Sequence, residues 1–347
     1  MADQLNAGSP PTTVLLLTHS RCASHVLEKM LSKQPNTVLT SAWFLPTRQL
    51  RRDVLKAGPI NQVSPTLLSS FMTAFNSEYS HFLQSLSDAK ANGKVAIAHP
   101  QPHMMLSPQV TSSYVYDNLT THDPQFGQPG RFLAGGDSDE EPHTNPSLLP
   151  DSFFLIPGTI PIINFRHPML LCEGVYRGVR DQPTFREANS EYFRKQVGNG
   201  ASLYPVRLMY DWYVKHGPAA GISPILVEAD DYLGEEKEAL IGQICALIPG
   251  FDAQHVIYKW EKATAEEVSA MGEQRAQALQ TINGSEGVMQ GYDTQGKTIE
   301  SETRRWREKY GDEDAEFIRA LVDKAMPDYE YFRERRLRPD GAARLGE

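Results

Sequence analysis

The chain has 347 residues, of which 40% are apolar and 22% charged, enough to bury a full core as one large domain or two small ones. A formal net charge of −9 argues against a general nucleic-acid binder. Three widely spaced cysteines, Cys22, Cys172 and Cys245, offer neither a disulfide framework nor a metal-ligand pair.

The first residues, up to about residue 11, are polar, carry no apolar signal core and read as disordered. Thr13 to Thr18 is a short apolar run and reads as a buried parallel strand, with a helix following over Ala23 to Gln34. Further strands are expected at "NTVLTS" from Asn36, "VAIAH" from Val95, "IPIINFR" from Ile160 and "SPILVEADD" from Ser223. Helical spacing marks Pro65 to Ala89, Ser202 to His216, the stretch around Leu240 to Ile248 and that around Ile318 to Ala325. Strands alternating with helices predict a single α/β domain, a central parallel sheet flanked by helices on both faces. Residues 117–150 break the rhythm with Gly, Pro, Asp and His, and read as a flexible insertion or lid. No run approaches the ~18 apolar residues of a membrane span, so the expectation is a cytoplasmic protein. Its partner is a small-molecule substrate, with no nucleic acid and no membrane; a homodimer is left open.

Two stretches carry the chemistry. In "THSRCASHVLEKML" a strand turns into a helix, where free N–H groups and the helix dipole favour an anion. Arg21 would add a charged fork there, and Ser20 and Ser24 hydroxyl donors. The pattern G-x-x-x-x-G-K-[ST] is absent, which speaks against kinase or ATPase chemistry. In "INFRHPMLLCEGVYRGVRD" a strand ends in Arg166 and His-Pro opens the next helix, which carries Tyr176 and Arg177. Trp43 and Phe44, with His103, Tyr176 and Arg177, are the candidates for a substrate pocket. Phe71, Phe75, Tyr79 and Phe82 recur at helical spacing and read as core. The residues show no metal site: Asp230 and Asp231 lack a third ligand nearby and read as a helix cap or an arginine pair. The charged stretches "RRWREKYGDEDAEF" and "RERRLRPDG" read as solvated helix faces.

Together these stretches resemble the sulfotransferase superfamily, which uses 3′-phosphoadenosine 5′-phosphosulfate (PAPS), and within it the divergent sulfotransferase-like P-loop proteins of fungi. The likeness extends to "RLMYDWY", "PILVEADDYL", "VIYKW" and "MPDYEYF" and runs from about residue 12 to residue 337. It implies a P-loop NTPase-like, sulfotransferase-like fold and a role in secondary metabolism, with PAPS as cofactor. Residues 20–25 (Ser20, Arg21, Cys22, Ala23, Ser24, His25) would form the 5′-phosphosulfate loop. Arg166 would take the 3′-phosphate, with Gly174 at the position of the family's serine, and His99 would be the general base. Lys297, Arg304 or Arg305 would stand in the family's basic segment over the 3′-phosphate. The sequence departs from the family pattern at Ser20, Ala23, Ile97 and Gly174, which replace a proline, a glycine, the catalytic lysine and that serine. Three readings follow: a working sulfotransferase acting on a small hydroxylated acceptor; a scaffold turned to an elimination, cyclisation or isomerisation without PAPS; and a non-catalytic ligand-binding protein.

Overall fold

The computed structural model describes residues 13–40, 44, 46–116, 144–182, 185, 190–272, 276 and 279–339. The chain runs β1 (Thr13–Thr18), α1 (Ser24–Met30), β2 (Thr37–Thr40), α2 (Thr47–Ala57), α3 (Pro65–Ala91) and β3 (Val95–Ala98). It continues through α4 (Pro102–Met105), α5 (Pro108–Val115), α6 (Asp151–Phe154), β4 (Thr159–Phe165), α7 (Pro168–Arg180), α8 (Ser190–Ala201) and α9 (Tyr204–His216). Then come β5 (Ile225–Glu228), α10 (Ala229–Leu233), α11 (Lys237–Leu247), α12 (Ala265–Ala270), α13 (Gln280–Asn283), α14 (Ile299–Tyr310) and α15 (Asp312–Arg335).

The five strands are all parallel, in the order β2-β3-β1-β4-β5. Each expected strand is present. The run from Asn36 shrinks to four residues, with Leu39 exposed and Thr40 buried, because it forms the sheet edge, where only one side has a partner. Alternation along the strands divides the core in two. Val14, Leu16, Ile97 and Ile162 point to the face covered by Leu27 and Met30 of α1 and Leu240, Ile241 and Ile244 of α11. Leu15, Leu17, Ala98, Ile163 and Phe165 point to the other face, against Phe71, Phe75 and Phe82 of α3, Leu171 of α7, Met209 of α9 and Phe332 of α15.

Two expectations need correction. The polar segment does not stay mobile to residue 150: Asn145, Ser147, Leu148 and Leu149 are buried. Asp151 accepts from the backbone N–H groups of Thr144 and Asn145, and Leu148 N–H donates to the Met105 carbonyl at 2.9 Å. Residues 117–143, the rest of the expected lid, lie outside the described residues. The charged stretch in α14 is not wholly solvated either, since Trp306 is fully buried there. One indole placed every few turns is enough to anchor a helix that is otherwise polar. Of the two roles expected for Asp230 and Asp231, the arginine pair is found at Asp231, which meets Arg336 at 2.6 Å, whereas Asp230 caps no helix and accepts from Thr294 N–H in a loop. No described helix is long and apolar enough to cross a membrane.

Candidate functional site

Because β1 has β3 on one side and β4 on the other, the chain leaves it in both directions. The crevice at the carboxyl ends of these three strands is where an open parallel sheet binds ligands. The loop after β1, His99 after β3 and Arg166 after β4 all fall on this edge.

The loop keeps the shape a glycine-rich turn would have, without glycine. Arg21 (φ 68°) and Ala23 (φ 55°) both sit in the left-handed region, at a cost of roughly 1–2 kcal/mol each for an L-residue. Two side chains hold the turn in place. Arg166 donates through Nη1 to the Arg21 carbonyl at 3.0 Å, and the Tyr232 hydroxyl donates to the Cys22 carbonyl at 2.9 Å. Ser24 is buried at the start of α1, and the Ser20 hydroxyl lies 3.4 Å from His19 Nδ1. Cys22 is fully buried and its thiol is pushed up to about 12, chiefly by burial, so it stays protonated and unreactive.

Arg21 does not simply face an open phosphate pocket. Its side chain lies along α7, over two glycines one turn apart. A Cβ at position 174 would stand 3.3 Å from Arg21 Cβ, and one at position 178 would stand 2.5 Å from its guanidinium nitrogen. Gly174 is therefore a groove for the arginine rather than a vacated serine. Arg166 is similarly engaged, since its second nitrogen, Nη2, donates to the Tyr292 carbonyl. Lys297 donates to the carbonyls of Gly291 and Asp293, and Arg305 to Glu302 at 2.9 Å.

The best-ordered chemistry is at His99. Ile97 and His99 share one face of β3 and its extension, the face that α1 covers. Ile97 is sealed among Val14, Leu16 and Leu27, whereas His99, two residues on, clears the strand end and meets α1 one turn from its start. There Glu28 Oε2 receives both His99 Nδ1 at 3.0 Å and His25 Nδ1 at 2.9 Å. The two rings stand 4.7 Å apart at 58°. Burial works against the Glu28 carboxylate, but the hydrogen bonds from His25 and His99 outweigh it and hold the carboxyl well below its usual range. Burial also lowers the pKa of His99, with Glu28 opposing. A neutral His99 that donates from Nδ1 to a carboxylate presents a lone pair at Nε2, and that atom is buried with no partner. The three groups could enclose a divalent cation, having ligand atoms within 4.8 Å of one another. Such an ion would have to displace two hydrogen bonds that converge on one oxygen.

A second imidazole pair lies alongside. His19, in the loop, stacks on His103, in α4, with centroids 4.4 Å apart. Both are buried, with His19 Nε2 and His103 Nδ1 unpartnered, and burial brings His19 down to about 4.

The other pocket candidates fall elsewhere. Phe44 is fully buried and stacks on Phe75 at 4.6 Å, so it belongs to the core. Trp43 lies outside the described residues. Tyr176 turns away from the crevice, buried between Phe193 and Tyr310, and its hydroxyl donates to Asp314 at 2.5 Å. Arg177 is exposed on α7, near enough to Arg21 to disfavour its charge. Glu28 was not singled out by the sequence. The i, i+3 pair His25 and Glu28 on one helix face was the available signal for it.

Position 97, where the resemblance would put a lysine, is core in this fold. Ile97→Lys is expected to destabilise the fold by about 3–5 kcal/mol, because the ammonium would be buried without a partner. Urea unfolding of the variant reads this directly, and unchanged stability would mean that position 97 opens to the crevice.

Two fungal proteins named Sulfotransferase ppzF are similar to this chain. That of Metarhizium majus (strain ARSEF 297) is 24% identical over 351 aligned residues, covering 96% of this chain and 99% of the relative. That of Metarhizium rileyi (strain RCEF 4871) is 24% identical over 344, covering 95% and 97%. No protein-family model and no solved structure matches the chain. With end-to-end coverage, and with a five-stranded parallel sheet carrying the expected loops on its carboxyl edge, the chain is a distant, sulfotransferase-like relative of these fungal proteins.

Proposed function

We propose that this chain is an enzyme of small-molecule, secondary-metabolite chemistry in which His99 is the general base acting on a substrate hydroxyl. The observation that carries this is the buried, unpartnered Nε2 of a histidine whose other nitrogen is held by Glu28. Glu28 fixes the tautomer and balances the imidazolium that forms when Nε2 takes up a proton. His25 shares the same carboxylate oxygen, and its nearness works against the charge on His99 that Glu28 favours.

The first reading of the reaction is sulfonate transfer from PAPS to a hydroxyl of a small acceptor. It is supported by the names of the relatives, by Arg21 in the loop after β1 and by His99 in the base position. When bound, PAPS would supply the sulfonate and a stable leaving group; Arg21 and the loop amides are the residues that would hold it. The residues fit it only in part, because Ile97 is core, Gly174 is covered by Arg21, and two Arg166 nitrogens already donate to carbonyls. Those same contacts favour a second reading, a PAPS-free elimination, cyclisation or isomerisation in which His99 serves as the acid or base on a substrate proton.

A thermal-shift titration with PAPS and its desulfated product separates the two. Ligand at 100 times its dissociation constant stabilises the native state by about 2.7 kcal/mol, worth at least a couple of degrees for a chain this long. A shift present in the wild type and absent in Arg21→Ala supports the first reading. No shift at millimolar ligand removes it and leaves the second.

A further inference from the structure

The cluster around His99 holds the donor set of a metal centre. His25, Glu28 and His99 offer two imidazole Nδ1 atoms and a carboxylate oxygen, all within 4.8 Å of one another, and among the described residues no other three such groups come together. Glu28 Oε2 stands 2.9 Å from His25 Nδ1 and 3.0 Å from His99 Nδ1. Ligand atoms held at about 2.0–2.2 Å around a tetrahedral zinc ion lie about 3.3–3.5 Å from one another. Two of the three edges therefore need to lengthen only slightly, and the third is closed by swinging one ring.

The element that carries each ligand decides which ring swings. His99 follows the last residue of β3 and precedes Pro100, which restricts its backbone, and its side chain is 3% exposed. Glu28 lies one turn after His25 on the same face of α1 and is 15% exposed. The His25 side chain is 36% exposed, so it is free to turn toward the other two and leaves a solvent side for entry and for a water as fourth ligand. Two held ligands and one mobile one suit an ion that loads and leaves. Two imidazoles and a carboxylate suit zinc and its neighbours in the transition series rather than magnesium or calcium, which take oxygen ligands.

An ion here changes His99 at its far nitrogen. In the neutral ring the proton on Nδ1 is donated to Glu28, and the lone pair is at Nε2. A metal bound at Nδ1 takes the electron pair of that nitrogen, and the ring's one proton moves to Nε2. A neutral His25 makes the same exchange, and Glu28 is already a carboxylate, so no proton has to be lost. With Nε2 protonated, His99 has no lone pair left to accept a substrate proton. We propose that His25, Glu28 and His99 form a binding site for a zinc-type divalent cation, and that this ion and the base function of His99 exclude one another. The site rests on the three side chains alone; its effect on the base rests on the reading of His99 given above.

The test uses the full-length chain without a histidine tag, freed of metal with EDTA and dialysed. Co²⁺ is expected to bind at one equivalent and to develop the visible absorption bands of a four- or five-coordinate ion, which Zn²⁺ then removes by displacement. Zn²⁺ should raise the melting temperature saturably, and Mg²⁺ should not. Zn²⁺ affinity should fall at least about tenfold in Glu28→Gln and in His25→Ala, since losing only an outer partner of a ligand already costs about 10–100-fold. Because the His25 ring is the most exposed of the three, His25→Ala keeps the test open if Glu28→Gln folds poorly. In protein carrying isotope-labelled histidine, NMR should find the His99 proton on Nδ1 without metal and on Nε2 under saturating Zn²⁺. No saturable Zn²⁺ binding, an equal effect of Mg²⁺, or equal Zn²⁺ affinity in wild type and His25→Ala would overturn the proposal. So would a His99 ring that keeps its Nδ1 proton under saturating Zn²⁺, because the ion would then leave the base free. Failure of metal binding leaves His99 as a base untouched; that reading falls instead with full activity in His99→Gln.

Discussion

Replacing His99 by glutamine is expected to lower turnover of the substrate by about two to four orders of magnitude while leaving the melting temperature nearly unchanged. The amide fills most of the ring's volume and can still donate to Glu28, so packing survives. What it lacks is a nitrogen that takes up a proton at neutral pH. Glu28→Gln is the informative companion. Glu28 touches His99 and not the reacting atoms, so it positions the ring and raises its pKa against the effect of burial. Without the carboxylate the pKa of His99 drops further, and the acid limb of the kcat/KM profile moves to lower pH. A purely structural Glu28 would change stability and leave the limb in place. Retention of full activity in His99→Gln would remove the base from the mechanism.

Acidification from pH 7 to pH 5 is expected to cost the fold about 2 kcal/mol through His19 alone. In the folded protein this ring is buried, stacked on His103, and titrates near 4 rather than at its ordinary 6.5. The unfolded chain therefore binds a proton as pH falls through about 6.5, and the folded chain does not until about 4. Stability is lost across that window and levels off below it. Burial pushes His99 and His103 in the same direction. Glu228 acts against them. Burial raises its carboxyl from 4.5 to about 7, so its contribution to stability diminishes as pH rises through that interval. Comparing wild type with His19→Phe isolates one group: the difference in unfolding free energy between them should grow more unfavourable to the wild type from pH 7 to pH 5. Parallel curves would mean that His19 takes up a proton in the folded state as freely as in the unfolded one.

Much of the fold was legible because it depends on local periodicity. The five strands are short apolar runs with turn signals on both sides, and a buried parallel strand has no other way to look. α3 and α9 announce themselves by aromatic and apolar residues at helical spacing. α2 and α8 are less legible, since arginines and polar residues cover part of the face that packs inward. Arg51 is buried through carbonyl contacts that no residue pattern advertises.

The site divides along the same line. The sequence by itself placed Arg21, His99 and Arg166 at three strand ends, because strand-turn-helix junctions are local and the carboxyl edge of a parallel sheet is one edge. What each of them touches was decided only in three dimensions. Glu28 becomes the partner of His99 because α1 packs over β3, joining residues 71 apart in the chain. Gly174 turns from a missing serine into a groove because Arg21 lies across α7. Ile97 is core and His99 reaches Glu28 because the strand ends between them. Hydrogen bonds, burial and electrostatic compensation are properties of neighbours in space, and a linear sequence lists neighbours only along the chain.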